Sequence, residues 1–387
     1  MNLPLQGYRR SDGRLGTRNH VVVMASVFCA NEAVKRIAES VPGTIAVTHP
    51  YGCNQLGADF EQTLRTLAGT GSHPNVFATL MVGLGCEQME ASIVTEAIAA
   101  GGGVAESLLI QERGGELKTA REGAEIVSGW VSRASAQAKE AGSLADLCVA
   151  LECGGSDATS GLVSNPVVGL VADRVVHEGG TVILSETLEI MGAEHLLARR
   201  AAKPRVAEEI VSMVQSAEAL ALESGVNLRG AQPTPGNMAG GVTTIEEKSL
   251  GCIHKAGTSP VAGTLAYSQS PSSSGLWMMD TSGHDGQSVT GMVAGGAQAV
   301  IFTTGRGTPL GSAVAPVIKV TANPRTAEKM DDHIDVDVSG VLEGRDDMET
   351  AADSLLEELV SVASGEKTKA ELLGHREFLI QRIGPTT

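Results

Sequence analysis

Phe77-Ala78-Thr79-Leu80-Met81-Val82 runs directly into Gly83-Leu84-Gly85-Cys86-Glu87. Leu147-Cys148-Val149-Ala150-Leu151 runs in the same way into Glu152-Cys153-Gly154-Gly155-Ser156-Asp157, and Thr44-Ile45-Ala46-Val47-Thr48 into His49-Pro50-Tyr51-Gly52-Cys53-Asn54. A short apolar run closed by glycine is the pattern of a buried strand followed by a tight turn. Between these runs lie stretches with apolar residues at helical spacing, near 31–40, 58–68, 91–100 and 117–141. The alternation continues with a helix near 167–177, the strand Thr181-Val182-Ile183-Leu184, and helices near 193–200 and 205–224. Strands then recur at 299–303 and 316–320, and a helix near 349–364 closes the chain. Strand–helix alternation predicts an α/β fold: mostly parallel sheets with helices on both faces, arranged as two Rossmann-like lobes. A boundary near residues 140–145 divides a domain 1–143 from a domain 144–387. The second contains a Gly/Ser/Thr/Pro-rich, loop-rich active-site segment at 225–312.

Bulk composition narrows the class. The 387 residues are 42% hydrophobic but 3% aromatic, with 47 glycines, as in an Ala/Val/Gly-rich α/β enzyme. The formal net charge of −16 argues against general nucleic-acid binding, which needs a basic footprint. An anionic small molecule is still compatible, because a local Arg/Lys cluster overrides the global field. The sequence shows no apolar leader and no membrane-spanning run, so the expectation is a cytoplasmic protein with reduced thiols and no membrane partner. Cys29 and Cys148 sit inside apolar runs and are assigned to the core.

The strand-end loops carry the chemistry. In an open parallel sheet, ligands bind at the carboxyl ends of the strands. Cys53, Cys86 and Cys153 each follow a strand beside glycine, so a shared metal site is expected. One form is a [4Fe–4S] cluster with an open fourth iron; the other is mononuclear Fe²⁺ or Mn²⁺ on His and carboxylate ligands; three unrelated loop thiols is the plainer alternative. His49 stands four residues before Cys53, as a base or a ligand. Glu186, Glu189 and His195 follow a further strand; Glu186 is a metal candidate, Glu189 suits a helix start, and His195 is a candidate acid. Lys248, in Glu246-Glu247-Lys248, is a second candidate base. Arg306, between Gly305 and Gly307, is a candidate carboxylate clamp. Further substrate contacts are assigned to Arg14, Arg18, Ser156, Asp157, Asn237 and Thr304.

These motifs together resemble a known family. Gly7-Tyr8-Arg9-Arg10, Gly52-Cys53, Gly83-Leu84-Gly85-Cys86-Glu87, Cys153-Gly154-Gly155-Ser156-Asp157, Ser185-Glu186-Thr187 and Gly192-Ala193-Glu194-His195 are similar to the altronate/galactarate dehydratase family. So are Pro235-Gly236-Asn237, Glu247-Lys248-Ser249-Leu250-Gly251 and Phe302-Thr303-Thr304-Gly305-Arg306-Gly307, and the likeness covers essentially the whole chain. It implies a lyase, usually iron-dependent, that eliminates a β-substituent from a small anionic 2-hydroxy acid. The first expectation is dehydration of a sugar acid such as altronate to a 2-keto-3-deoxy acid. The second is release of sulfite from sulfolactate, because His333-Ile334-Asp335-Val336-Asp337-Val338 and Gly374-His375-Arg376-Glu377-Phe378 look closer to the sulfo-lyase large subunit. The resemblance also implies a separate small β-clip-type subunit and a homo- or hetero-oligomer. A non-catalytic sugar-acid-binding protein is the alternative from another class.

Overall fold

A computed structural model describes residues 5–387, so residues 1–4 of the expected first domain lie outside the described residues. Strands β1 (Leu5–Arg9) and β2 (Leu15–Gly16) pair antiparallel. Next come β3 (His20–Ala25), β4 (Thr44–Val47), β5 (Val76–Gly83) and β6 (Ala105–Leu109), a parallel sheet in the order β4-β3-β5-β6. β7 (Glu140–Gly142) returns to pair with β1. The larger sheet is built from β8 (Cys148–Cys153), β9 (Thr181–Leu184), β10 (Val261–Leu265), β11 (Gly275–Met279), β12 (Ala299–Thr303), β13 (Val317–Thr321) and β14 (Val336–Asp337). Its order is β10-β11-β9-β8-β12-β13-β14, and every pair is parallel. The α/β class with mostly parallel sheets is therefore what forms.

The cause is visible in the burial of the strands. Every residue of β12 and of β13 is buried, so helices cover both faces and the runs read as continuously apolar. Helix Glu116–Ala136 buries Thr119, Ala120, Gly123, Val127, Trp130 and Ala134, a stripe at helical spacing. The segment expected to be loop-rich is more ordered than its composition suggests. It contains helices Leu228–Ala231, Pro235–Ala239 and Ile245–Ile253 before β10 and β11. Its Thr and Pro residues act as helix starts: Thr234 accepts from Asn237 N–H ahead of Pro235, and Thr244 accepts from Glu247 N–H.

Three features align the sheets. At the amino ends of the strands, Asn75 Nδ2 donates to the carbonyls of Gln298 and Val314, each at 3.0 Å. Helix Gly57–Gly71 packs on helix Asp285–Ala294 so closely that a Cβ at Gly69 would stand 2.2 Å from Ala294 O. At the other end the C-terminal segment crosses between them, with Ser282 N–H on Gln381 Oε1 at 2.8 Å and Arg382 Nε on Asp59 Oδ2 at 2.6 Å. The carboxyl ends of both sheets thus face the same side of the molecule.

Arg18, expected to bind substrate, is instead a strut. It is 8% exposed, pairs with both oxygens of Glu371 at 2.8 Å, and donates to the carbonyls of Val362 and Glu366 at 2.7 Å. Burial works against the Glu371 carboxylate, but the Arg18 hydrogen bonds and charge outweigh it and hold the group below its usual 4.5. A depressed carboxyl contributes stability that is complete above the usual value and lost as pH falls through the lowered one. Glu371→Gln is predicted to lower unfolding free energy by about 3–5 kcal/mol near pH 7, since Arg18 stays buried unpaired. Urea titrations should show that gap narrowing as the pH falls below the usual carboxylate range.

Candidate active site

β8 and β9 lie side by side and deliver Glu152-Cys153 and Ser185-Glu186 to one rim. Glu186 has φ +66°, a left-handed conformation that costs a non-glycine residue roughly 1–3 kcal/mol and marks functional positions. Its N–H is held by Thr281 Oγ1 at 2.8 Å, and its Oε2 accepts Cys153 N–H at 3.0 Å. The same oxygen forms an ion pair with Lys255, whose side chain is fully buried. Lys255 Nζ also donates to Cys153 Sγ at 3.0 Å, and Cys252 Sγ lies 3.8 Å from that sulfur. Lys248, Cys252 and Lys255 stand four and three residues apart, which stacks them on one face of the helix Ile245–Ile253 and the turn after it.

Burial sets the charges. Glu152 is pushed well above the usual carboxylate value by burial and then by the charge of Glu186. Ser288 Oγ, at 2.6 Å, and Ser185 Oγ, at 3.2 Å, donate to Glu152 Oε2, while Oε1 is buried without a hydrogen-bond partner. The Cys153 thiol is pushed up by its bond with Cys252 and then by burial. Burial opposes the Lys255 ammonium, and the negative charge of the groups around it outweighs that opposition. Asp285 is raised to about 6, by burial first and then by Glu186.

Two cavities open on this rim. One, of about 490 Å³, is lined by Cys153, Glu189, Lys248, Asp285 and Arg306 among others. The other, of about 220 Å³, adds Asp157, Cys252 and His254. Lys248 Nζ pairs with Glu189 Oε1 at 2.7 Å. Burial alone would lower the lysine, but the Glu189 charge and hydrogen bond raise it, so Lys248 stays an ammonium. That state conflicts with the expected role as a base. Glu189 is raised by burial and then by Glu186, and its Oε2 is buried and unpartnered. Arg306 is exposed at the mouth and gives Nη1 to Gly236 O at 2.6 Å.

Several expected residues meet here and others do not. Cys153, Glu186, Ser156, Asp157, Asn237, Lys248 and Arg306 lie in or against the cavities. Asn237 and Asp157 spend their side chains on the frame: Asn237 Nδ2 donates to Ser156 O at 2.9 Å, and Asp157 Oδ2 accepts from Asn323 at 2.8 Å. Thr304 is buried, and its Oγ1 accepts Gly307 N–H, turning the loop that bears Arg306. His49 is buried beside the smaller sheet, with Nε2 bonded to Ala25 O at 2.8 Å and Nδ1 accepting Tyr51 N–H. Burial lowers it to about 4, and both ring nitrogens are occupied. His195 is exposed on the short helix Glu194–Ala198 and lines neither cavity. Arg14 pairs with Asp12 and the carbonyls of Ser72 and Gly101, toward the amino ends of the strands. Cys53 and Cys86 are exposed on the smaller sheet, so the expected set Cys53, Cys86, Cys153 and Glu186 is drawn from two different rims. Cys29 is also exposed, not in the core as its neighbours suggested.

Sequence reasoning missed Cys252, Lys255 and Ser288, and left Glu152 and Asp285 without roles. The spacing of Lys248, Cys252 and Lys255 was the available signal. Among the described residues, donor atoms of Glu152, Glu186 and Asp285 lie within 4.8 Å of one another, as do those of Cys153, Glu186 and Cys252. The second group surrounds the Lys255 ammonium, which leaves little for a cation there. The carboxylate group, with its unpartnered Glu152 oxygen, fits a hard divalent ion.

Lys255→Met and Glu186→Gln are each predicted to destabilise the protein by about 3–5 kcal/mol, because each strands a buried charge. The double variant should lose less than the sum, with a coupling of about 0.5–3 kcal/mol in urea unfolding. Additive losses would contradict the pair's dependence on each other.

Residues 7–135 match the family model described as D-galactarate dehydratase/Altronate hydrolase, second domain; residues 144–386 match D-galactarate/Altronate dehydratase, C-terminal. The chain is 42% identical to (2R)-sulfolactate sulfo-lyase subunit beta of Chromohalobacter salexigens, over 97% of each chain. It is 33% identical to altronate dehydratase of Escherichia coli over 99% of this chain and 78% of that one. It is 31% identical to galactarate dehydratase (L-threo-forming) of the same organism, over 99% and 77%. With both parts of the chain matched and these relatives spanning nearly all of it, the protein belongs to the galactarate/altronate dehydratase family and is a lyase.

Proposed function

We propose that the protein is the large subunit of a lyase that splits sulfite from sulfolactate, leaving a 2-keto acid. The observation that carries this reading is the 42% identity over 97% of both chains with a relative named for that reaction. Dehydration of a sugar acid such as altronate, the first expectation, becomes the second reading. It rests on relatives with lower identity, of which the chain spans about four-fifths.

The reaction breaks the C–H bond α to the carboxylate and the bond from the β-carbon to its leaving group. Glu189 takes the proton: it lines the cavity, has a free oxygen, and its raised value makes it a stronger base than an ordinary carboxylate. The C–H electron pair becomes the new double bond, and the pair of the broken C–S bond leaves with sulfite. The enol product then tautomerises to the keto acid. Lys248 and Arg306 hold the substrate's anionic groups and stabilise the charge that develops at the carboxylate. Sulfite leaves as an anion without a proton; a hydroxyl needs one, and in the second reading the proton that Glu189 has taken is passed to it. The Fe²⁺ or Mn²⁺ implied by the resemblance would be held by Glu152, Glu186 and Asp285 and would supply a Lewis acid for the substrate's oxygens.

The name of the relative as a subunit beta supports a partner subunit, and we include a separate small subunit in the proposal. All six cysteines are free thiols, which suits the cytoplasm. No helix among the described residues is long and apolar enough to cross a membrane.

Incubation with sulfolactate, with the small subunit present, should yield sulfite and 2-keto acid in equal amounts. Keto acid from altronate, without sulfite from sulfolactate, would favour the second reading instead. As a base, Glu189 must be ionised, so kcat/KM should fall as the pH drops through a value above the usual 4.5. Glu189→Gln should lower kcat by about 10²–10⁴-fold and remove that acid limb; a retained limb would assign the base elsewhere.

A further inference from the structure

Free cysteine is among the most buried of residue types. This chain has six, and the three that are exposed are Cys29, Cys53 and Cys86. All three follow the carboxyl ends of neighbouring strands in the smaller sheet. Cys29 lies in the turn Phe28–Ala30 after β3, Cys53 in the loop after β4, and Cys86 in the loop after β5. β3 runs between β4 and β5, so three adjacent strand ends present one thiol each.

The loops that carry them are fastened to one another. Phe28 N–H donates to Tyr51 O at 2.8 Å, and Met89 N–H to Gly52 O at 2.9 Å. Gln55 N–H donates to Gln88 Oε1 at 3.1 Å. Gly52, at φ +108°, lets its loop lie against the end of β3, where a Cβ would meet Ser26 O at 2.4 Å. Glu87 is buried beneath the third loop: its Oε2 accepts Gly85 N–H at 2.6 Å and Cys86 N–H at 3.0 Å, and its Oε1 accepts Ser26 Oγ at 2.9 Å. A frame this constrained fixes the backbone under each thiol while leaving the sulfurs open. Among the described residues, the polar contact of these sulfurs is Gln111 Nε2 on Cys86 at 3.7 Å.

We propose that Cys29, Cys53 and Cys86 hold a [4Fe–4S] cluster, one thiolate on each of three irons, with the fourth iron open to a small ligand. Thiolates are the soft donors such a cluster takes. These sulfurs fall outside the donor groups that crowd within 4.8 Å, as the ligands of one small ion would, and a cluster spreads its thiolates over separate irons. The cluster faces the same side of the molecule as the Lys255 cleft, because the carboxyl ends of both sheets point that way. Phe28 and Leu56, 61% and 48% exposed, flank the thiols on the same rim. The inference stands apart from the carboxylate metal site and does not rest on it.

The test is iron, acid-labile sulfide and visible absorbance on the full chain, purified anaerobically and reconstituted with ferrous iron and sulfide. About four sulfides per chain are expected, with about four irons beyond any held by the carboxylates and a broad visible band. Cys29→Ser, Cys53→Ser and Cys86→Ser should each lower bound sulfide at least tenfold, while Cys153→Ser keeps it. Thermal unfolding of each variant separates cluster loss from misfolding. Wild-type protein that takes up no sulfide or holds zinc without sulfide, or a cluster that survives loss of Cys29, would overturn the assignment.

Discussion

The buried ion pair of Lys255 with Glu186 is the interaction on which the site depends. An ammonium with no exposed surface needs a counter-charge, and Glu186 provides it from a left-handed backbone conformation at the end of β9. With that pair in place, the neighbouring groups divide. Glu152 and Asp285 are pushed up by burial and then by Glu186, the Cys153 thiol is pushed up by its bond with Cys252 and then by burial, and Cys153 Sγ accepts from the ammonium. Glu189 and Lys248 repeat the arrangement one layer outward, where the cavity begins. The outcome is a set of buried carboxyl groups with raised values beneath the cations Lys248 and Arg306.

The architecture supports this division of labour. A parallel sheet brings strand ends from distant parts of the chain to one edge, and here β8, β9, β11 and β12 converge. Polar bonds from Asn75 to the carbonyls of Gln298 and Val314 join the smaller sheet to the larger one at their amino ends. The crossing C-terminal segment ties their carboxyl ends.

Fold class was legible because periodicity reports burial directly: Val21–Ala25 and Ala299–Thr303 are buried on both faces and look it. The motifs around Cys153, Glu186 and Arg306 were legible as strand-end loops, and they do reach one cleft. Other positions were misread for physical reasons. Val27-Phe28-Cys29-Ala30 looks like core, but the strand stops at Ala25 and the turn lifts Cys29 to the surface. His49 sits at a strand end as expected, yet two backbone groups take both its nitrogens. Lys255 escaped notice because the spacing that aligns it with Lys248 and Cys252 shows a shared helix face but not that this face turns inward. Which strand ends meet is a property of the sheet order, and no single motif encodes it.

The most direct test of the account is iron-edge anomalous diffraction from crystals grown anaerobically with ferrous iron and sulfolactate. The account predicts an iron peak among Glu152, Glu186 and Asp285, with the substrate's carboxylate or sulfonate on Lys248 or Arg306. Substrate bound away from that cleft, or no iron among those carboxylates, would contradict it.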